Sequence, residues 1–310
     1  MRVGTTLSYS GGFKEAAEHV VELEKVGVDM ALVAEAYSYD AVSQLGYLAA
    51  KTSTITLGTG ILPIYTRTPT LLAMTAAGLD YVSDGRFHLG LGTSGPQVIE
   101  GFHGVEFDAP LGRTREVVDI CRRVWRRERL DYAGKYYQVP LPANRGTGLG
   151  KSLHLINHPV RERIPISIAA LGPKNVELTA EIAEGWQPVF FYPEKAESVW
   201  GAALKAGFAK RDPQLGRSTS WWVRHLPSAT TSTSGWPGQN RSWRSISAAW
   251  APGAATSTTI WPPAMGSARL RTGFKTCTCP AARTRRSPLC RTNWCAAFHW
   301  WVRADSSRNA

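Results

Sequence analysis

The sequence predicts an α/β fold, a (β/α)8 TIM barrel in preference to an open doubly wound sheet. Three observations carry this. Across residues 1–216, six apolar, β-branched runs alternate with stretches of helical period, as buried parallel strands and their crossover helices do. Five of the six runs pass directly into polar, Gly or Pro-containing segments, and chemistry spread over many strand ends is the habit of a barrel. The 310 residues are ample for a buried core.

The first run, RVGTTLSY at 2–9, is followed by Phe13, Ala16, Ala17, Val20 and Leu23 at helical spacing, with Gly27 placed to stop that helix. DMALVAEA at 29–36 ends in Glu35-Ala36-Tyr37. An acid closing an apolar buried strand faces a site or must find a partner, so Glu35 and Tyr37 are the catalytic candidates. A helix over about 40–52 leads to ITLGTGIL at 55–62, which ends in Gly60-Ile61-Leu62-Pro63. A helix over about 68–83 leads to RFHLGLGT at 86–93 and the Gly92-Thr93-Ser94-Gly95 turn. Beyond a helix at about 110–128, residues 129–163 are too many for a connecting loop and read as an insertion at the strand-end rim. IPISIAAL at 164–171 opens into Gly172-Pro173 and a helix over 173–184. WQPVFFY at 186–192 is the sixth strand, ahead of a helix over about 196–210.

Two motifs imitate phosphate loops. Gly90-Leu91-Gly92-Thr93-Ser94-Gly95 is literally G-x-G-x-x-G, but it lies in the fourth unit and PQVIEGFHG after it makes a poor helix, so a glycine-lined strand end admitting a flat ligand is preferred. The run from Gly146 to Ser152 has Arg145 where a P-loop has its first glycine, and no strand precedes it. His88 reads as a packed strand residue, and His103, His154 and His158 lack metal spacing, so no metal site is expected. Arg122, Arg123, Arg126 and Arg127 read as a solvated helix face. Cys121 offers no disulfide framework. With no signal peptide and no run of eighteen apolar residues, a cytoplasmic protein without a membrane partner is expected.

Composition changes at residue 217. Residues 1–216 balance 23 basic against 23 acidic side chains, whereas 217–310 carry 13 basic ones and only Asp305. The same 94 residues hold nine of the twelve Trp but only nine Ile, Leu, Val or Phe. Such a composition predicts no packed core. Read at face value, the tail would make the chain a nucleic-acid-binding protein through phosphate attraction and Trp stacking, an alternative weakened by the lack of a recognisable module. The spacing of Cys277, Cys279, Cys290 and Cys295 is not that of a usual zinc finger.

The stretches VAEAYSYDAV at 33–42, 57–104 with its RTP, SDGRF and GLGTSGP segments in order, and IAALGPKNVELTAEIAEGW at 168–186 resemble the luciferase-like flavin or deazaflavin oxidoreductases, in particular their actinobacterial coenzyme F-420-dependent branch. That resemblance implies a bacterial luciferase-like barrel whose mouth holds F-420, or alternatively FMN, for hydride transfer or monooxygenation of a small organic substrate, in a chain that often forms homodimers. It implies a bulge with a cis peptide at Gly60-Ile61, a ring lined by Glu35, Gly92, Thr93 and Ser94, and a phosphate-bearing tail received by Leu171, Gly172, Pro173 and Asn175 at a helix N-terminus. Relatives acting on sugar phosphates carry a His after the second-strand acid and an acid at the fourth strand end; Ala36 and Gly95 stand there, so that chemistry does not carry over.

The family's last two βα units belong after residue 216, and they are missing or replaced. A shifted reading frame accounts for this. With free first bases chosen to suit the family, the other frame permits aliphatic, acidic, amphipathic segments from Trp221 to Ser245 and from Ile246 to Cys279. A chain lacking those units is expected to leave strand edges exposed, to aggregate and to be impaired as an enzyme. Sequencing the DNA from codon 205 onward tests the frame: an uninterrupted second frame from near codon 217 should encode that continuation, and stop codons within it would refute the shift.

Overall fold

The structure, a computed structural model, describes residues 3–7, 12–189, 191, 193–216 and 219–220; all lie in one unit, Met1–Ala255. Strand β1 (Gly4–Leu7), helix α1 (Phe13–Lys25), β2 (Met30–Val33), α2 (Ala41–Lys51), β3 (Thr56–Thr59), the two-residue β4 (Leu62–Pro63), α3 (Pro69–Val82) and β5 (Phe87–Gly92) follow in order. Then come α4 (Pro96–Ile99), α5 (Pro110–Trp125), the strand pair β6 (Tyr132–Ala133) and β7 (Gln138–Val139), β8 (Ile166–Ile168), α6 (Pro173–Ile182), β9 (Gly185–Trp186), α7 (Pro193–Lys210) and β10 (Thr219–Ser220). The large sheet runs β1-β2-β3-β5-β8-β9-β10 with every pair parallel, and β4 docks on β5. This is the expected α/β alternation. The sheet reaches one strand further than the six predicted, because β10 pairs Thr219 with Gly185 and Ser220 with Trp186. Among the described residues β1 pairs only with β2. The readings of the tail beyond Ser220 lie outside the described residues.

Local chemistry explains the elements. Asp40 caps α2 by accepting the Ser43 N–H (2.9 Å), and Thr68 caps α3 by accepting that of Leu71 (3.2 Å) with Pro69 at the first helical position. Gly27 stops α1 with φ +85°. Register then separates two faces. Leu57, Phe87, Leu89, Leu91, Ile166 and Ile168 share the face packed against the helices in one buried cluster. Gly58, His88, Gly90 and Ser167 share the opposite, concave face, where Met30 and Leu32 form a small cluster of their own.

Three expectations are corrected. The sixth strand is Gly185–Trp186, earlier than WQPVFFY suggests, with Tyr192 outside the described residues. The insertion is rooted at the rim opposite the strand ends: Arg161 pairs with Asp80 (Nε–Oδ2 3.1 Å) near the end of α3 and donates to the carbonyl of Phe87 (2.7 Å) at the start of β5. Its β6–β7 hairpin nevertheless lies along α5, since Glu116 accepts the N–H groups of Lys135, Tyr136 and Tyr137 (2.8, 3.0 and 2.9 Å). The arginines at and just beyond the end of α5 are partnered, Arg122 and Arg127 half-buried while Arg123 and Arg126 keep the expected contact with solvent at 37% and 46% exposure. Arg122 binds the Ile182 carbonyl and Glu184, Arg123 pairs with Asp119, Arg126 with Glu128, and Arg127 donates to the Leu155 carbonyl. Periodicity locates a helix but does not reveal which element will cover its charged side. Cys121 is fully buried, and burial pushes its thiol up to about 12, so it acts as a packing residue.

At the rim opposite the strand ends, the Glu24 carboxylate accepts the N–H groups of Ser53, Thr54 and Ile55 (2.9, 2.6 and 2.8 Å). Burial pushes this carboxyl up, but the bonds from Ile55, Thr54 and Ser53 outweigh it and hold it at about 2 against an ordinary 4.5. A depressed folded-state value stabilises the fold above the ordinary value, and that contribution disappears as pH falls through the folded one. Urea unfolding should therefore show a loss between pH 4.5 and about 2 that Glu24→Gln lacks, with the variant weaker by about 1 kcal/mol at pH 7.

Candidate active site

The strand ends of β3, β5, β8 and β9 meet through small residues. The Thr59 hydroxyl donates to the Gly90 carbonyl and accepts the Gly90 N–H, both at 2.7 Å. Gln187, just after β9, donates from Nε2 to the Thr59 carbonyl (3.1 Å) and the Ser167 hydroxyl (2.6 Å). It thereby spans β8 and β5 across the concave face. Only glycine at 90 admits this: a Cβ there would lie 1.8 Å from the Thr59 oxygen and 2.6 Å from Gln187 Nε2.

The Gly60-Ile61 peptide is cis, as the resemblance implies. The segment turns so that β4 lies beside β5, pairing Pro63 with Gly92, and the Ile64 N–H reaches the Gly92 carbonyl at 3.0 Å. Ile61 covers Gly92: a Cβ at 92 would sit 2.7 Å from Ile61 Cδ1. Thr93 and the left-handed Ser94 (φ +57°) continue the same strand end, with the Thr93 hydroxyl donating to the Ser94 carbonyl (3.2 Å). Gly60, Ile61, Gly92, Thr93 and Ser94 thus form one neighbourhood.

The Leu171 to Asn175 segment leaves the adjacent strand β8. Trp200 of α7 donates its indole N–H to the Leu171 carbonyl (2.8 Å), and Trp186 donates to the Ala170 carbonyl (2.9 Å). The Trp186 and Trp200 rings meet edge to face, centroids 5.3 Å apart. On this brace Gly172 precedes α6 without a side-chain cap, open enough that an added Cβ would meet nothing within 4 Å. The Asn175 Oδ1 is buried without a hydrogen-bond partner. The open N-terminus of this ten-residue helix suits an anion, and the orphaned Oδ1 in its first turn, an acceptor, suits a hydroxyl or N–H donor attached to that anion.

Glu35 sits differently. Its side chain is 9% exposed; Arg67 grips it with both guanidinium nitrogens (2.5 and 3.0 Å), and its Oε2 accepts the Ala41 N–H at the start of α2 (2.9 Å). The carboxylate ties β2 to α2 and to the segment before α3. Tyr37 is 59% exposed, its ring 6.3 Å from that of Phe102. Sequence reasoning missed Arg67, although it lies within the RTP segment, and missed Gln187, Thr59 and Ser167, whose signal is only a polar residue at a strand end. Lys174, the second residue of α6, was also missed; a lysine after Gly-Pro is the cue.

Residues 1–243 match the family model of luciferase-like monooxygenases. A protein of Mycobacterium tuberculosis described as a coenzyme F-420-dependent oxidoreductase is 46% identical over 213 residues, 68% of this chain and 61% of that one. The 5,10-methylenetetrahydromethanopterin reductase of Archaeoglobus fulgidus is 32% identical over 195 residues, 62% of this chain and 54% of the enzyme. The chain thus spans between half and two thirds of the length of these relatives. Among solved structures, the F-420-dependent tetrahydromethanopterin reductase of Methanopyrus kandleri superposes with a TM-score of 0.60 at 23% identity, over 69% of this chain and 63% of that one. The FMN complex of a type II Baeyer-Villiger monooxygenase of Pseudomonas putida gives 0.55 at 19%, over 68% and 63%. Both likenesses are of fold.

The glycines have graded tolerances that a thermal-denaturation series reads out. Gly90→Ala should cost about 3 kcal/mol because a Cβ would collide with backbone, and Gly92→Ala about 1 because it meets the movable end of Ile61. Gly172→Ala should lie within about 0.5 kcal/mol of wild type.

Proposed function

The chain belongs to the luciferase-like monooxygenase family, and from that premise we propose that it is an oxidoreductase binding the deazaflavin F-420, with FMN as the alternative, for hydride transfer or monooxygenation of a small organic substrate. The observation that carries this reading is the joining of two features on the neighbouring strands β3, β5 and β8: the glycine-lined ends of β3 and β5 at Gly60-Ile61 and Gly92, and the open, uncapped start of α6 after β8. The residues present fit such a group. Gly172 leaves room at the helix start, the orphaned Asn175 Oδ1 needs a donor, and Lys174 adds positive charge beside it. Bound there, the cofactor would supply the hydride chemistry. The protein's part is docking and orientation: Leu171, Gly172, Pro173 and Asn175 hold the anionic tail, while Gly60, Ile61, Gly92, Thr93 and Ser94 shape the ring's seat.

Glu35 acts here as a positioning residue, since its carboxylate is spent on Arg67 and the α2 amide; Tyr37 stands at the rim beside it. The resemblance to F-420-dependent relatives favours the deazaflavin. Among the described residues no helix is long and apolar enough to cross a membrane, which is compatible with a cytoplasmic setting. The exposed Leu71, Met74, Tyr81 and Val82 of α3 offer a face for a homodimer. Residues 1–216 form the catalytic part, Thr219–Ser220 add one further strand to its sheet, and the chain from Trp221 onward reads best as a shifted-frame replacement of the rest of the last two βα units.

Fluorescence titration of the full chain with F-420, and in parallel with FMN, tests this. Wild type that stays in solution should bind one of them, a result that would overturn the expectation that this chain aggregates and is nearly inactive, and Gly172→Trp, folded because its site is open, should bind it at least about tenfold more weakly. Equal affinity in the variant would remove α6 from the cofactor site.

A further inference from the structure

We infer that the exposed ring pair Tyr37–Phe102 is the docking wall for an uncharged, apolar ring of the substrate; this rests on the strand-end reading above. The two rings come from loops after β2 and β5, the strands that flank β3. Their meeting therefore crosses the β3 strand end that carries Gly60-Ile61. Tyr37 follows Glu35 by two residues, and Phe102 belongs to the connection leaving Gly92, so the wall is continuous with the candidate site.

Phe102 is 65% exposed, and this is not the exposure of a slack loop. Its own N–H bonds the Val98 carbonyl (3.0 Å), Val105 N–H the Ile99 carbonyl (3.1 Å), and Phe107 N–H the Glu100 carboxylate (3.2 Å). The loop's far end is fastened by Tyr65, whose ring lies 5.0 Å from that of Phe107 and whose hydroxyl donates to the Asp108 carbonyl (2.7 Å). Burial pushes the Tyr65 hydroxyl up to about 12, keeping it a donor. The His103 ring stands edge-on to Phe102, centroids 5.1 Å apart. A braced backbone thus holds an aromatic face out to water beside the site, where a flat apolar partner would recover the solvation cost.

Charge selects the partner. Residues 34–40 and 93–109 contain no Lys or Arg, but hold Glu35, Asp40, Glu100, Glu106 and Asp108. The two arginines bound to these segments are both neutralised, Arg67 by Glu35 and Arg113 by Asp108. An anionic substrate group finds no counter-charge on this wall, whereas an uncharged ring meets Tyr37 and Phe102 without penalty.

Two fluorescent probes with the same aromatic body test this on the full chain without cofactor: neutral N-phenyl-1-naphthylamine and its sulfonated counterpart 8-anilinonaphthalene-1-sulfonate. Phe102→Ser should weaken the neutral probe about tenfold, Phe102→Leu should retain most of the affinity, and the sulfonate's dissociation constant should not respond to Phe102→Ser. Ile156→Ser, at a residue 92% exposed in the insertion, should change neither. Unchanged neutral-probe binding in Phe102→Ser, an equal loss for the sulfonate, or dissociation of a dimer by that substitution in sedimentation would each overturn the assignment. F-420 titration keeps the two readings apart: failure of F-420 to bind while the neutral probe still depends on Phe102 refutes the cofactor, not the wall.

Discussion

The mouth of the sheet depends on one missing side chain, that of Gly90. Its absence lets the Thr59 hydroxyl clasp both backbone groups of Gly90 and lets Gln187 reach over β5 and β8 to the Thr59 carbonyl. These bonds set how closely the ends of β3, β5, β8 and β9 approach. The same sparseness recurs at Gly58, where a Cβ would come within 2.7 Å of Leu32, and at Gly92, which Ile61 covers. Small residues at Gly58, Gly90 and Gly92 on the concave face and large aliphatics on the helix face of the same strands are two consequences of one register.

Ion pairs do the fastening that this thin interior does not. Asp80, fully buried, joins Arg161 and the Phe87 N–H, and so holds the returning insertion against the start of β5. Glu184 receives both Arg122 and Arg163 and accepts the Ile166 N–H (3.0 Å), linking α5, β8 and the segment before β9. Glu35 plays the corresponding part at the strand-end rim. Removing one member of such a pair leaves a charge in a place poor in water, at a cost of about 3–5 kcal/mol where burial is complete. An acid at the end of an apolar strand is therefore as well explained by architecture as by proton transfer, and the Arg67 pair gives Glu35 an architectural role.

Much of this was legible in the sequence because it rests on local pattern. The crossover helices are bounded to within a few residues by Asp40, Thr68, Gly172 and the Pro that follows a cap, and the runs around Leu57, Leu89 and Ile166 announce strands buried on both faces. The glycine neighbourhood around Gly60 and Gly92 was legible through the resemblance. What escaped was long-range. Nothing near Gln187 tells that its amide crosses two strands, nothing near Arg122 names Glu184, and the length of the insertion does not reveal the rim at which it begins. The two-residue steps β4 and β9 fall below the length at which alternation is readable.

The place of the insertion bears on how such a chain can diverge. Residues 129–163 leave from and return to the rim away from the strand ends, but their hairpin reaches along α5 to Arg113, which lies over the Tyr136 and Tyr137 rings and pairs with Asp108, so only the part near the root can change length without touching the strand-end loop. A further doubling of that connection would cost only about 0.6 kcal/mol in closure entropy. Residues near the root can therefore be lengthened, trimmed or resurfaced, for new neighbours or new assemblies, whereas the hairpin is held to its length by the loop it supports.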